Sequence, residues 1–193
     1  MEHFSMGRIR KSAMTNVCLL LACSALLGGP VPAALQATTE EYKVKAVFLF
    51  HFAQFVEWPE ASFSEEQEPL IIGVLGEDPF GSFLDEVVAG EDINGHPLTI
   101  RRFNKAEDAA ACHILFMGMD GISQLRSSLE MLKDHNVLTV GDSPAFIRAG
   151  GMIRFFSENN KIRLQINPDA ARASGVMISS KLLRLADISI PKS

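Results

Sequence analysis

Four short apolar runs, at residues 70–75, 98–103, 113–117 and 137–140, alternate with segments of helical spacing, and this alternation constrains the chain more than any other feature. A strand that is apolar along its whole length needs cover on both faces. A helix between two such strands returns the chain for parallel pairing with a right-handed crossover. After the first run, Phe80, Phe83, Leu84, Val87 and Val88 repeat at i, i+3, i+4, i+7 and i+8, with Gly90 where a helix C-cap belongs. Asn94-Gly95 marks a turn, an alanine-rich helical piece covers 105–111, and Ile122, Leu125, Leu129 and Leu132 mark the next helix. The expected class is α/β, with a mostly parallel sheet and helices on both faces.

The end of the chain breaks that rhythm. Residues 152–156 and 161–166 flank Ser157-Glu158-Asn159-Asn160 and read as a C-terminal antiparallel hairpin. In its second arm Ile162, Leu164 and Ile166 alternate with Lys161, Arg163 and Gln165, so one face is wet. Two helical segments follow, one opening at Pro168 and one over 179–186.

Ahead of the first strand, TTEEYKVKAVFLFHFAQFVEWP reads as a helix with Thr38 or Thr39 at its N-cap, Glu40 and Glu41 in its first turn, and Pro59 ending it. Val44, Val47, Phe48, His51 and Phe55 share one face, and Leu49, Phe52 and Val56 an adjacent one. So wide an apolar surface needs a second covering besides the sheet. That covering is either the C-terminal Leu182, Leu183 and Leu185 or a second copy of the chain related by a two-fold axis. Phe48, Phe52, Phe55 and Trp58 are accordingly interface candidates, and a homodimer is expected.

Residues 1–37 have a different character. Arg8, Arg10 and Lys11 precede an uncharged apolar stretch over 17–27, followed by Ala33, Ala34 and Ala37. This is the pattern of a cleaved signal peptide. The stretch falls short of the roughly 20 residues a membrane span needs. Leu20-Leu21-Ala22-Cys23 loosely fits a lipoprotein box, which leaves lipidation at Cys23 as the other reading. The chain then divides into a signal peptide at 1–37, one domain at 38–188 and a tail at 189–193. Cleavage removes three basic residues and Glu2, leaving 15 basic against 22 acidic residues, and Cys112 as the last cysteine. A chain this acidic argues against nucleic acid as a partner, and a single cysteine excludes an intrachain disulfide.

No motif for chemistry stands out. The turn Gly76-Glu77-Asp78-Pro79-Phe80-Gly81 is neither GxGxxG nor a phosphate loop, and it reads as structural, with Asp78 as N-cap and Pro79 at the first helical position. Gly141-Asp142-Ser143-Pro144 is similar. Both turns belong at the carboxyl edge, where open parallel sheets bind ligands, so Asp78, Gly118, Asp142 and Ser143 are candidates for a ligand crevice. Ser143 lacks the nucleophile-elbow sequence. Cys112 and His113 point to opposite sides of a strand and cannot form a dyad, and Cys112 reads as a buried free thiol. His51, His96, His113 and His135 are scattered rather than spaced for a metal, with His51 a packed core histidine and His96 and His135 in turns. Arg101, Arg102, Arg154, Arg163 and Arg172 read as solvated strand faces. No catalytic residue, metal or cofactor is expected.

The segments KAVFLFHFAQFVEWP, GVLGEDPFG, CHILFMG, VLTVGDSPAFIRAGGMIRFF and INPDAARASGVMISSKLLRLA, in this order and spacing, resemble the YfiR-like family of periplasmic proteins over residues 40–186. The resemblance implies a Rossmann-like, dimeric domain. It also implies a repressor of an inner-membrane diguanylate cyclase, bound through the periplasmic domain of that enzyme and released when an outer-membrane lipoprotein sequesters the repressor. Control of cyclic-di-GMP and biofilm formation would follow. Disulfides are associated with one member of the family, whereas here only Cys112 is kept and Gly73 stands where a partner cysteine could have been expected. Two further readings remain from the residues themselves. One is a periplasmic small-molecule sensor using the crevice near Asp78, Gly118 and Asp142; the other is an envelope enzyme built around Ser143.

Overall fold

The computed structural model describes residues 33–63 and 67–188. The basic and apolar leader pattern, Cys23 and the C-terminal tail lie outside these residues. Of two compact units, Met1–Gln36 and Ala37–Ser193, the second carries the sheet.

The chain order is α1 (Ala33–Phe55), β1 (Val56–Glu57), a 3-10 turn (Glu60–Ser62), β2 (Leu70–Gly76), α2 (Ser82–Val88), β3 (Asp92–Ile93) and β4 (His96–Phe103). A second 3-10 turn (Glu107–Ala109) leads to β5 (Ile114–Gly118), α3 (Ile122–Leu132), β6 (Leu138–Gly141), α4 (Phe146–Ala149) and β7 (Ile153–Glu158). The chain closes with β8 (Lys161–Ile166), α5 (Pro168–Ala173), β9 (Met177–Ile178), α6 (Ser180–Leu183) and β10 (Asp187–Ile188). The main sheet has eight strands in the order β10-β8-β7-β6-β5-β2-β4-β3, and β1 pairs with β9 in a separate antiparallel ribbon. Strands β4, β2, β5, β6 and β7 run parallel, and β7 and β8 form the C-terminal antiparallel hairpin. Its turn is Asn159-Asn160, both left-handed at φ 51° and 58°, a conformation asparagine tolerates better than most residues.

Alternation along the strands divides the core into two layers. Leu70, Ile72, Val74, Ile114, Phe116, Leu138, Val140, Ile153 and Phe155 pack with Leu49 and Phe52 of α1 and Leu84 and Val88 of α2. Ile71, Leu75, Leu115 and Met117 pack on the other side with Leu125 and Leu132 of α3 and Phe146 and Ile147 of α4. Each side chain fully buried in this way contributes about 1.5–3 kcal/mol.

Two elements differ from the sequence expectation. Helix α1 begins upstream of Thr38 and Thr39, at Ala33, because Ala33, Ala34, Leu35, Gln36 and Ala37 are all good helix formers; neither threonine caps it. It ends at Phe55, four residues before Pro59, because Val56 and Glu57 are drawn into pairing with Ile178 and Met177. The alanine-rich piece contracts to the single turn Glu107–Ala109. At the other end of the chain, the Asn167 side chain accepts a bond from the Ala170 amide at 3.2 Å, with Pro168 in the first turn of α5.

Candidate functional site

From β2 the chain moves outward to β4 and then crosses back to β5, so the topological switch point lies at the carboxyl ends of β2 and β5. That point is closed by backbone. The Glu77 amide donates to the Gly118 carbonyl at 3.0 Å, Gly76 has φ +88°, and a Cβ on Gly118 would lie 2.0 Å from the Glu77 carbonyl oxygen. Two glycines are needed here for the chains to approach, and the approach fills the crevice.

The four crevice candidates all stand at this edge, but in separate roles. Asp78 accepts from the amides of Phe80 at 2.8 Å and Gly81 at 3.3 Å, and pairs with the Arg102 Nε at 2.6 Å. It stabilises the turn before α2 rather than capping the helix, whose N-cap position is Gly81. Asp142 accepts from the Tyr42 hydroxyl at 2.9 Å and the Lys45 Nζ at 2.7 Å. Lys45 is almost wholly buried, lies 4.1 Å from the centre of the Tyr42 ring and also pairs with Glu41 at 2.8 Å. Burial and the Asp142 carboxylate raise the Tyr42 hydroxyl above the ordinary phenol range. Ser143 is buried, and its Oγ accepts from the Ala145 amide at 3.3 Å and lies 3.5 Å from the Asp120 carbonyl. Residues of α1 thus occupy the space over the end of β6, and the polar atoms of the crevice are engaged within the chain.

The arginines do not converge. Arg102 bridges Asp78 and Asp85, Arg172 pairs with Asp169, Arg163 lies near Glu158, and Arg154 donates to Gln165. Among the described residues no group of His, Cys, Asp and Glu could hold a metal ion.

Of the two apolar stripes on α1, the sheet takes Leu49, Phe52 and Val56. Phe52 is fully buried and stacks on Phe155 at 5.8 Å, and Phe48 lies 6.0 Å from the same ring. Phe48, Phe55 and Trp58 are half-buried, whereas Val44 and Val47 are exposed at 46% and 37%. The C-terminal segment covers part of the core, since Leu182 is buried and Leu183 packs against it, but Leu185 is exposed. His51 is not the core histidine; it is half-exposed and its Nδ1 lies 3.3 Å from the Gln54 Oε1, because its stripe faces outward.

The buried histidine is His113, at the amino edge of the sheet, where no sequence signal placed a role. Its amide donates to the Ile71 carbonyl at 2.9 Å, and its carbonyl accepts from the Leu138 amide at 2.8 Å and the Trp58 Nε1 at 3.1 Å. Its ring Nδ1 lies 3.1 Å from the Ile71 amide and its Nε2 3.2 Å from the Ser62 carbonyl. Phe63 is sandwiched between two imidazoles, 4.5 Å from His113 and 3.9 Å from His96. His96 is the first residue of β4 and its Nδ1 lies 2.8 Å from the Glu68 carbonyl. Burial lowers the His113 pKa. A histidine within an apolar run was the available signal, but its partners lie 42 and 51 residues away. Cys112 next to it is buried, and its thiol is pushed up to about 12, chiefly by burial.

A mostly parallel sheet with helices on both faces and an antiparallel hairpin at its end defines a Rossmann-like α/β domain. The chain belongs to the YfiR/HmsC-like family, whose model matches residues 42–187. Its fold is also similar to the crystal structure of a conserved domain protein from Vibrio cholerae O1 biovar El Tor str. N16961, with a TM-score of 0.48 and 13% identity. The match covers 63% of this chain and 55% of that one, so the chain spans about half the length of that structure. No curated protein matches the chain. Among the described residues no helix is long and apolar enough to cross a membrane.

Proposed function

We propose that this chain is a periplasmic regulatory binding protein that represses an inner-membrane diguanylate cyclase by docking on its periplasmic domain. It thereby controls cyclic-di-GMP and biofilm formation, and an outer-membrane lipoprotein releases the repression by sequestering it. Membership of the YfiR/HmsC-like family over residues 42–187 is the observation that carries this reading. The carboxyl edge agrees with it: the atoms that would hold a small substrate there already hold Tyr42, Lys45 and Arg102. A protein of this design acts through its surface, as a homodimer in which the exposed stripe of α1 is a contact.

The test is a clean deletion under conditions of normal expression. Intracellular cyclic-di-GMP rises, and it returns to the parental level on complementation. An unchanged cyclic-di-GMP level in the deletion strain overturns the reading.

A further inference from the structure

The His113 ring stands in for a backbone carbonyl. Its Nδ1 faces the Ile71 amide at 3.1 Å, extending the pairing of β2 and β5 beyond the first residue of β5. An amide is only a donor, so Nδ1 carries no proton; the proton sits on Nε2 and faces the Ser62 carbonyl, which is only an acceptor. Two neighbours of opposite kind fix one neutral tautomer.

We propose that His113 is a proton-operated latch: neutral, it pins Ser62 and Phe63 to the amino edge of the sheet, and protonated, it releases them. A second proton goes to Nδ1 and sets N–H against N–H across 3.1 Å. The ring then turns away, and the turn breaks its bond to Ser62 and its stack on Phe63. The charged and titratable groups around the ring pull in both directions. Glu68, ahead of β2, favours the cation, and His96 of β4, across the Phe63 ring, opposes it. Asp134, His135 and the neutral thiol of Cys112 line the cleft of about 210 Å³ beyond Ser62. From β2, β6 and the segment just after β1 the neighbours are Ile71, the Leu138 amide and Trp58, none of which titrates. The Phe63 face attracts an imidazolium. Stacking on Phe63 and the bond to Ser62 therefore oppose the turn, the N–H to N–H contact with Ile71 drives it, and the latch opens because the second outweighs the first. Release takes Phe63 out of the wall of a cleft of mixed polarity, which it shares with Val56, Glu57, Trp58, Ile93 and His96.

The chain carries its own reporter. Trp58 is its single tryptophan, its ring lies edge-on 5.8 Å from the His113 ring, and it donates to the His113 carbonyl. Tryptophan emission is titrated downward from pH 8 with circular dichroism recorded in parallel. The expected result is a one-proton change in emission with a midpoint below the ordinary histidine value of about 6.5, while the secondary-structure signal stays constant. The change is absent in His113→Asn, and in His96→Gln its midpoint moves up because the opposing imidazole is gone. Ring-nitrogen NMR of the wild-type protein at pH 8 needs no variant and shows the proton of His113 on Nε2. A proton on Nδ1, an emission change that survives in His113→Asn, a flat emission profile in the folded protein, or an emission change coincident with loss of secondary structure each overturns the latch.

Discussion

Gly73 and Cys112 meet so closely at the start of β5 that a Cβ built on Gly73 would lie 2.6 Å from the Cys112 Sγ. The Leu115 Cδ1 would be 2.7 Å away and a Phe103 ring carbon 3.1 Å. Gly73→Ala therefore overpacks the layer beneath α3 and is expected to cost about 1–3 kcal/mol, seen as a lower urea midpoint with an unchanged slope. A midpoint equal to the wild type means that the three side chains give way freely.

The same packing makes Cys112 inert. Its thiol is buried and pushed up to about 12, so the thiolate that reacts with thiol reagents is scarce at pH 8. Labelling by a chromogenic disulfide is expected to be negligible in the native protein and complete in denaturant. Rapid native labelling contradicts the buried position.

Asp142 is the main external partner of a lysine held inside the protein. Asp142→Ala leaves Glu41 as the remaining carboxylate partner of Lys45 and is expected to cost about 3 kcal/mol, the low end for breaking a buried pair, because Glu41 still reaches the ammonium. The double replacement Lys45→Met with Asp142→Leu recovers part of that loss. Chemical denaturation of the two variants measures both.

Phe52 has no surface to offer a partner. Phe52→Ala is expected to cost about 3–5 kcal/mol, and Phe52→Asp to prevent folding rather than weaken dimerisation. Val44→Asp, on the exposed stripe of the same helix, leaves the melt unchanged and shifts sedimentation toward the monomer. A dimeric, folded Phe52→Asp variant contradicts the first expectation, and an unshifted Val44→Asp dimer contradicts the second.

Acid acts in two windows of opposite chemistry. Burial depresses the His113 pKa, so near and below pH 6.5 the unfolded chain binds the proton that the folded one refuses; stability is full above about pH 7 and declines as pH falls. Arg102 holds the Asp85 carboxyl below its usual range, so that smaller, surface contribution persists to about pH 4 and is lost only beneath it. Melting temperatures from pH 8 to pH 3 should show the first decline, and His113→Asn should remove it while leaving the second.

The strands and the hairpin were legible in the sequence because an apolar run bounded by turn residues leaves few alternatives, as at residues 70–75 and 161–166. Lateral contacts were not. Periodicity shows that α1 has two apolar stripes but is blind to which one meets the sheet, and so it misassigned His51. The pairing of Val56 with Ile178 spans more than a hundred residues and has no local signature. At the carboxyl edge, the turns after the apolar runs indicated that Asp78 and Asp142 stand at strand ends, which is a statement of position and not of a ligand. That Tyr42 and Lys45 reach over to fill their surroundings depends on where α1 lies, which spacing alone does not give.

Tyr42 meets Asp142 beyond the carboxyl end of β6, and Trp58 meets His113 at the amino end of β5, so α1 and the short segment after it run the length of the sheet against the direction of its parallel strands. The earliest part of the domain to be synthesised thus finds its partners 100 and 55 residues later. Until β7 arrives with Phe155, the ring of Phe52 lacks the partner on which it stacks in the finished fold. An incomplete chain therefore presents an uncovered aromatic helix for most of its synthesis, and it is in this interval, rather than in the finished fold, that the protein is most exposed to aggregation.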